Sequence, residues 1–352
     1  MADGAGVQPP GRVAAAVKGG FHRVVPSHLG ADAVGLARRV FRSGRDGRHT
    51  LLFAGLGLVA TPLDLALRRA EMKRYRTALP ADLPQVFVCG PARSGTTLVA
   101  SSLIRALPVS YFTNVTAVFP RSPITASHLL RLPPDNSMVS DRSLYGRSAG
   151  WRGASDALPL WDRWLGTDRT RMPSSLAPEA RAGMTSFFGA YETWSGRPVV
   201  AKNNSLNAVA HLVAETLPGS YFICLDRDPV FLAQSLLQAR TFIYGDLGTP
   251  YGLAPESTEP SDPVEGVIAQ VRFHRELAEL QRQRIGADRF WTVDYEAFCA
   301  DPNDLVARVA GDLLGDVQPS VRLEPFAASR RVRIDAATFA RFERALGSGS
   351  RP

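Results

Sequence analysis

From about residue 85 onward, short apolar segments alternate with segments of helical spacing, and this alternation limits the possible folds more than any other feature. The apolar segments are rich in β-branched and aromatic residues, as strands are: 85–89, 109–113, 198–201, 221–225 and 289–293. Strands that are apolar along their whole length are buried on both faces. The sequence therefore predicts an α/β fold in three layers, with a central, mainly parallel sheet flanked by helices.

Helical spacing between and after these strands predicts helices over 96–107, 207–217, 229–240, 264–284 and 302–315. An insertion at about 120–196 interrupts the alternation and holds four of the chain's five tryptophans: Trp151, Trp161, Trp164 and Trp194. Clustered aromatic residues of this kind form either the wall of a ligand pocket or a small core of their own. We expect the tryptophans, with the loop 241–263, to shape a ligand site.

A basic segment, residues 1–80, precedes the α/β domain, residues 81–352. Residues 1–50 carry eight Lys or Arg against three acids and show little periodicity, so partial disorder is expected. Within them, 31–42 has the pattern of a basic amphipathic helix. Residues 1–21 lack an apolar stretch long enough for the core of a signal peptide.

Residues 51–67 are the nearest approach to a membrane span, but they are short and contain Pro62 and Asp64. A spanning helix is therefore not expected. Because a basic helix precedes this apolar stretch, two interpretations of residues 31–79 stay open. The segment lies on a membrane surface, or it packs across the main domain.

The net charge of +8 and the isoelectric point of about 9.8 suit an anionic partner, although arginine-rich composition alone also produces them. No recognition motif accompanies the charge, so nucleic-acid binding is not expected. The histidines and cysteines lack metal-ligand spacing, and no metal site is expected. The three cysteines form no paired framework, which favours reduced, buried thiols and a cytoplasmic location.

The turn after the first predicted strand reads CGPARSGTT and leads into a helix, the context of a phosphate-binding loop. The P-loop pattern G-x-x-x-x-G-K-[ST] is matched by Gly90, Gly95 and Thr97. Thr96 replaces the lysine that bridges the phosphates of a triphosphate, and Arg93 lies inside the loop. We therefore expect a site for one tetrahedral anion on a 5′-phosphate, without magnesium.

Backbone N–H groups at the start of the following helix would bind this anion with the help of the helix dipole: those of Ser94, Gly95, Thr96 and Thr97. The Arg93 guanidinium suits a terminal oxyanion group.

A second motif, FICLDRDPVFLAQS, also begins at the end of a predicted strand. Asp228 and Pro229 are a strong helix start, with Asp as N-cap. Arg227 lies in the turn, and Ser235 follows eight residues later, about two helical turns on. The pair forms a second phosphate site, or Arg227 pairs with a local acid and Ser235 is a packing residue.

Together the two motifs resemble those of the sulfotransferases that use 3′-phosphoadenosine 5′-phosphosulfate (PAPS). In that family a P-R-S-G-T-T-like loop holds the 5′-phosphosulfate, and R-D-P with a serine eight residues later holds the 3′-phosphate. Here Ala92 is inserted between the usual Pro and Arg of the loop, whereas Arg227 and Ser235 match the second motif without change. The resemblance implies a PAPS site built from Arg93 and the loop residues with Arg227 and Ser235.

Two further segments are similar to the same family. The segment 198–207 resembles E-K-T-P, whose lysine stabilises the bridging oxygen of the transferred group, and the matching residue is Lys202. Here Ala201 and Asn204 replace the Glu and Pro of that motif. The segment 293–315 resembles Y-E-x-L-x-x-D-P, which covers the cofactor and corresponds to Tyr295. The arginine-rich stretch 329–335 offers further contacts to the adenine side or the 3′-phosphate.

The resemblance leaves the general base open, because the stretch where relatives often carry Glu or His offers Asn114 and Val115. The nearest titratable residues are His128, Asp156 and Asp162, of which His128 and Asp156 are the better candidates. The acceptor, a carbohydrate, lipid or small molecule, is not readable from the sequence. Two other functions fit the loop: a P-loop kinase or NTPase with a degenerate loop, and a non-catalytic, membrane-associated nucleotide-binding scaffold.

Overall fold

The computed structural model describes residues 33–139, 150–255 and 262–347. Its sheet has four strands in the order β2-β1-β3-β4, all parallel: β1 (Gln85–Cys89), β2 (Val199–Lys202), β3 (Ser220–Asp226) and β4 (Phe290–Asp294). The register sets Val88 beside Lys202 and Asp226 beside Asp294, so the carboxyl ends of the strands meet at one edge. The predicted parallel α/β fold is confirmed.

Among the described residues, three helices precede the sheet: α1 (Ala33–Arg42), α2 (Arg45–Val59) and α3 (Thr61–Thr77). Five described helices lie between β1 and β2: α4 (Thr96–Ala106), α5 (Asn114–Val118), α6 (Pro123–Leu129), α7 (Leu158–Leu165) and α8 (Pro178–Ser195). The other helices are α9 (Leu206–Thr216), α10 (Pro229–Tyr244), α11 (Pro263–Ile285), α12 (Tyr295–Ala300), α13 (Pro302–Arg308) and α14 (Ala336–Leu346). A short 3₁₀ turn covers Asn136–Met138, and a π-helical turn, Val309–Leu313, follows α13.

The strand predicted over 109–113 is wrong. This segment makes only isolated bridges, a parallel one between Ser110 and Val199 and an antiparallel one between Thr113 and Ala154. The chain turns into α5 directly afterwards, and the buried Tyr111 side chain is held by backbone carbonyls of other loops. The apolar character of the segment reflects this burial and not membership of the sheet.

The core has one cluster on each face of the sheet, which explains why the strands are apolar throughout. Phe87 and Phe222 point to the face covered by α7, α8 and α9, and Val88 and Ile223 point to the face covered by α4 and α13. Trp161 and Trp164 are buried in the first cluster among Phe side chains. Trp161 and Trp164 therefore join the core on one face of the sheet, where Trp161 meets Phe87 of β1, and do not form a separate small core of the insertion.

The helices α1–α3 pack on the main domain, as one of the two interpretations of residues 31–79 stated. Phe53 of α2 lies against α5 and α6 in a small apolar cluster, and the ring of Trp151 meets it edge to face. No single helix of the described residues is long and apolar enough to cross a membrane, while α2 and α3 pass that test only as a bent pair. Partial disorder was expected over residues 1–50; of these, 33–42 and 45–50 belong to α1 and α2, and 1–32 lie outside the described residues.

Candidate active site

The loop between β1 and α4 has the left-handed backbone that a phosphate cradle requires. Gly90, Arg93 and Gly95 have φ values of 135°, 72° and 98°. Gly95 is the N-cap of α4, which begins at Thr96. The first N–H groups of a helix have no partner within the helix, so they face the concave side of this loop as donors for an anion.

The Tyr295 ring of α12 lies directly over this loop at Gly95. A Cβ atom on Gly95 would overlap the Tyr295 ring, and the positive φ also disfavours any side chain there. Burial raises the pKa of the Tyr295 phenol to about 12, so this ring is neutral at ordinary pH. Glycine at this position therefore allows a flat, uncharged surface to close over the loop.

The second sequence motif meets the first in space. Arg227 follows β3 and donates through Nη1 to the Arg93 carbonyl at 2.7 Å, and its guanidinium carbon lies 5.3 Å from the centre of the Tyr295 ring. Arg93 donates through Nε to Ser235 Oγ at 3.2 Å. Asp228 caps α10 as predicted, accepting the N–H of Val230 at 3.0 Å. The residues predicted for two phosphate subsites thus form one continuous surface.

From the sequence, we expected Arg93 to bind the terminal oxyanion group. The structure instead places its guanidinium beside Ser235. In this conformation Arg93 belongs to the side of the site assigned to the 3′-phosphate. Lys202 and the start of α4 form the other side.

Two buried polar atoms of this surface have no hydrogen-bond partner in the structure: Ser94 Oγ and Arg227 Nε. Burial lowers the pKa of the Arg227 guanidinium, an effect that the neighbouring Tyr295 and Glu296 oppose, and the group stays charged. Buried polar atoms without partners are costly unless a ligand satisfies them. A hydroxyl and a guanidinium N–H facing one loop are the donor set that a phosphorylated nucleotide needs, so the residues present fit PAPS.

The arginine-rich stretch 329–335 runs beside α10 next to Ser235. Gln234 of α10 donates to the Arg331 carbonyl at 3.0 Å and accepts the Arg333 N–H at 2.7 Å. This pairing brings the basic stretch to the edge of the Ser235 side of the site, where contacts to a nucleotide were predicted.

The reactive end of the site is built around Lys202, the last residue of β2, whose side chain is only 7% exposed. Its Nζ donates to Asp156 Oδ2 at 2.7 Å and to Thr97 Oγ1 at 3.2 Å. Thr96 Oγ1 donates to Asn204 Oδ1 at 2.9 Å. The segment that follows β2 therefore joins the loop to Asp156, which comes from the insertion.

A cavity of about 270 Å³ opens beside this junction. Its polar lining includes Asp156, Arg169, Thr170, Asn203, Asn204 and His274. Its apolar lining includes Leu158, Ile243, Tyr244, Tyr251 and Leu253. Because Asp156 both lines the cavity and contacts Lys202, a molecule bound in the cavity would face the anion loop across these two side chains.

Buried polar side chains hold the loop wall of this cavity in place. Arg240, 1% exposed, donates to the Leu247 carbonyl and to Gln270 Oε1. Gln270 in turn donates to the carbonyls of Tyr251 and Leu253 at 2.8 and 2.7 Å. The loop 241–263, expected to shape a ligand site, lines this cavity with residues of its described part.

His274 lines the cavity and is neutral in the folded state. Its Nε2 lies 3.0 Å from the Leu253 carbonyl and its Nδ1 3.0 Å from Asn207 Nδ2, an arrangement that fits a proton on Nε2. Burial lowers the pKa of His274 to about 4.

Protonation of the unfolded chain should make stability fall as the pH drops from about 6.5 towards 4. The unfolded His binds a proton over this window and the folded His does not, which costs about 3 kcal/mol at its lower end. We expect His274→Gln to flatten this part of the curve of unfolding free energy against pH. Denaturant unfolding at a series of pH values measures it, with the exposed His128→Gln as control; an unchanged slope for His274→Gln would refute this account.

The structure separates the two candidates for the general base. Asp156 lies at the junction of cavity and loop, whereas His128 is exposed at the end of α6 and is not among the residues that line the cavity. Asp162 forms a two-bond ion pair with Arg169, at 2.9 and 2.7 Å. None of the four tryptophans lines the cavity either, contrary to the expectation from the sequence.

Several site residues were missed by the sequence analysis. Asn203 and Asn204 directly follow Lys202, and their polar amides after a buried strand were the available signal. His274 and Gln270 come from the middle of α11, where no local pattern marks them.

The four-stranded parallel sheet and the strand–loop–helix anion site define the class as α/β proteins with a P-loop-like loop. A model of the sulfotransferase family matches residues 84–313. This match covers more than half of the 352 residues, and the chain belongs to the sulfotransferase family. It is therefore an enzyme that transfers a sulfuryl group.

Solved structures with a similar fold include two mycobacterial sulfotransferases. The one from Mycobacterium avium has 15% identity and a TM-score of 0.51, over 87% of this chain and 77% of that one. The one from Mycobacterium tuberculosis has 13% identity and a TM-score of 0.48, over 86% and 89%. The comparison with curated protein sequences gave no match.

Proposed function

We propose that this sulfotransferase moves a sulfuryl group from PAPS to a hydroxyl or amine of a carbohydrate, lipid or small-molecule acceptor. The observation that carries the proposal is the contact of Lys202 with both Thr97 and Asp156. Through it, a cation and a carboxylate lie where the anion loop meets the cavity. The donor would supply the sulfuryl group, and the cavity would hold the acceptor.

The residues assigned to PAPS form two groups according to their position in the site. The α4 N-terminus, Ser94 Oγ and Thr97 would hold the 5′-phosphosulfate, and Arg227 with Ser235 would hold the 3′-phosphate. Tyr295 covers the loop between them. All of these groups are donors, cations or neutral surfaces, as a bound anion requires.

Asp156 would take the proton from the acceptor hydroxyl or amine as that atom forms its bond to sulfur. Lys202 would stabilise the negative charge that develops on the phosphate oxygen as its bond to sulfur breaks. The transfer is an in-line displacement, so positioning and charge stabilisation supply most of the rate. The products are the sulfated acceptor and adenosine 3′,5′-bisphosphate, and the acceptor's proton is on Asp156.

A magnesium-dependent triphosphate reaction has less support. Asp226, at the end of β3, pairs with Arg275 at 3.3 Å, and the described residues contain no cluster of three or more His, Cys, Asp or Glu that could hold a metal ion. Thr96 stands where a kinase loop has its lysine, and its hydroxyl is engaged with Asn204.

Thermal unfolding with adenosine 3′,5′-bisphosphate, without magnesium, tests the donor site. A ligand of the native state raises the melting temperature with its concentration, and this nucleotide is expected to do so. No shift at millimolar bisphosphate would refute the proposal. A shift with ATP and magnesium, together with ATP turnover, would instead identify a kinase or NTPase.

A further inference from the structure

The helix pair α2–α3 is fixed to the main domain along its inner side. The two helices meet at an angle of 66°. Phe53 and Leu56 of α2 and Leu67 of α3 pack against α5 and α6. The apolar residues on this inner side are buried against the domain, whereas the opposite side of the bend is exposed.

Both acidic residues of α3 point inward. Asp64, fully buried, accepts a hydrogen bond from Ser122 Oγ at 2.8 Å. Glu71, also fully buried, accepts the Thr125 N–H at 2.8 Å in the first turn of α6. Each carboxylate thus satisfies donors at the beginning of α6, where a negative charge is favourable. These contacts orient α3 about its own axis.

As a result, the opposite side of the pair carries apolar and basic side chains and, on α3, no acid. The apolar ones are exposed by 36 to 79%: Leu52, Leu58, Val59, Leu63 and Leu65. The exposed bases of α3 are Arg68, Arg69, Lys73 and Arg76. We call these nine residues the outer face. A group of exposed leucine and valine side chains next to positively charged side chains is unusual on a protein surface that contacts only water.

We infer that the outer face binds the surface of an anionic membrane. Leucine and valine side chains at the bend would enter the acyl boundary, and the α3 bases would lie at the phosphate headgroups. Helices with one apolar and basic side bind membranes in this way, by buried apolar area and by attraction to anionic lipid. The two interpretations of residues 31–79 are therefore compatible. One side of the helices packs on the domain, and the opposite side would contact the membrane.

The helix before this pair also touches the wall of the cavity. Arg39 of α1 donates to the carbonyls of Phe242 and Ile243 at 2.7 and 2.9 Å, and Ile243 lines the cavity. Membrane binding through α2–α3 would therefore hold the cavity close to the lipid surface. This consequence rests on the proposed function, whereas membrane binding itself does not.

Sedimentation of the full chain with vesicles tests the inference. The protein is expected to sediment with vesicles of phosphatidylcholine and phosphatidylglycerol and to stay in solution with phosphatidylcholine alone. The double variant Val59→Asp/Leu63→Asp should weaken vesicle binding about tenfold or more, because it removes apolar insertion and adds like charge to the lipid. Leu280→Asp/Val321→Asp is the matched control, since it changes one exposed leucine and one exposed valine elsewhere.

Three results would overturn the inference. The first is wild-type protein that stays in solution with anionic vesicles, and the second is equal loss of binding in both double variants. The third is a lipid-free dimer that Val59→Asp/Leu63→Asp converts to a monomer in light scattering, which would assign the outer face to a second copy of the chain. The bisphosphate-induced rise in melting temperature, measured on the same samples, separates these results from failure of the proposed function.

Discussion

Asp156→Asn is expected to lower the rate of sulfuryl transfer by ~10²–10⁴-fold, the range that general-base residues typically contribute. The amide cannot accept the acceptor's proton, but it is nearly the same size as the carboxylate and still lines the cavity. Donor binding should change little, because Asp156 faces the cavity side of Lys202. The measurement is the transfer of label from sulfur-labelled PAPS to the acceptor fraction of a metabolite extract, with a bisphosphate titration beside it.

Asp288→Asn is the control for this substitution, because Asp288 is exposed, lies before the amino end of β4 and does not line the cavity. Its rate should match that of the wild type. An Asp156→Asn enzyme that also keeps the wild-type rate would remove Asp156 from the mechanism. His128→Gln then becomes the next variant to measure, since His128 was the other candidate base.

Arg227→Ala is expected to weaken binding of adenosine 3′,5′-bisphosphate roughly 10–100-fold, the effect of losing a charge-assisted hydrogen bond. The arginine contributes a charge to the site, supports the Arg93 carbonyl and lies over the Tyr295 ring. Isothermal titration calorimetry without magnesium measures the loss. The Tyr295 side of the loop should also lose order, which would add to the effect.

Arg308→Ala provides a matched control, because Arg308 lies over the Trp291 ring at 4.9 Å in the same kind of contact. It removes a surface cation–π pair but no group of the donor site, so bisphosphate affinity should be retained. Equal losses in both variants would mean that Arg227 acts through general charge or stability and not through a phosphate subsite.

The fold was largely predictable because strands that are buried in the sheet have apolar sequences. β1, β2 and β3 are buried along most of their length, and the alternation of strands with helices leaves few arrangements other than a parallel sheet. The segment 109–113 misled the prediction since burial in a loop selects the same residues as burial in a strand. Tyr111 shows the cause, as its hydroxyl contacts the carbonyls of Asp135 and Arg152 and not a neighbouring strand.

The grouping of the anion-loop residues was predictable from the sequence, whereas the grouping of the cavity residues was not. The motifs of Arg93 and Arg227 are local, since each depends on a strand end and the turn that follows it. The cavity instead combines Asp156 from the insertion, Asn204 after β2 and His274 from α11. Such long-range juxtapositions leave no spacing signal in one sequence. For the same reason, the tryptophans of the insertion were expected in the ligand site, although Trp161 and Trp164 lie in the core on one face of the sheet.

Transfer of label from sulfur-labelled PAPS is the measurement that tests the central claim most directly. Wild-type protein, incubated without magnesium with a metabolite extract, is expected to label an acceptor fraction, and Lys202→Ala is expected to label none above background. Adenosine 3′,5′-bisphosphate should inhibit the wild-type reaction. Protein that binds the bisphosphate but transfers no label to any fraction would contradict the account and would indicate a non-catalytic nucleotide-binding protein.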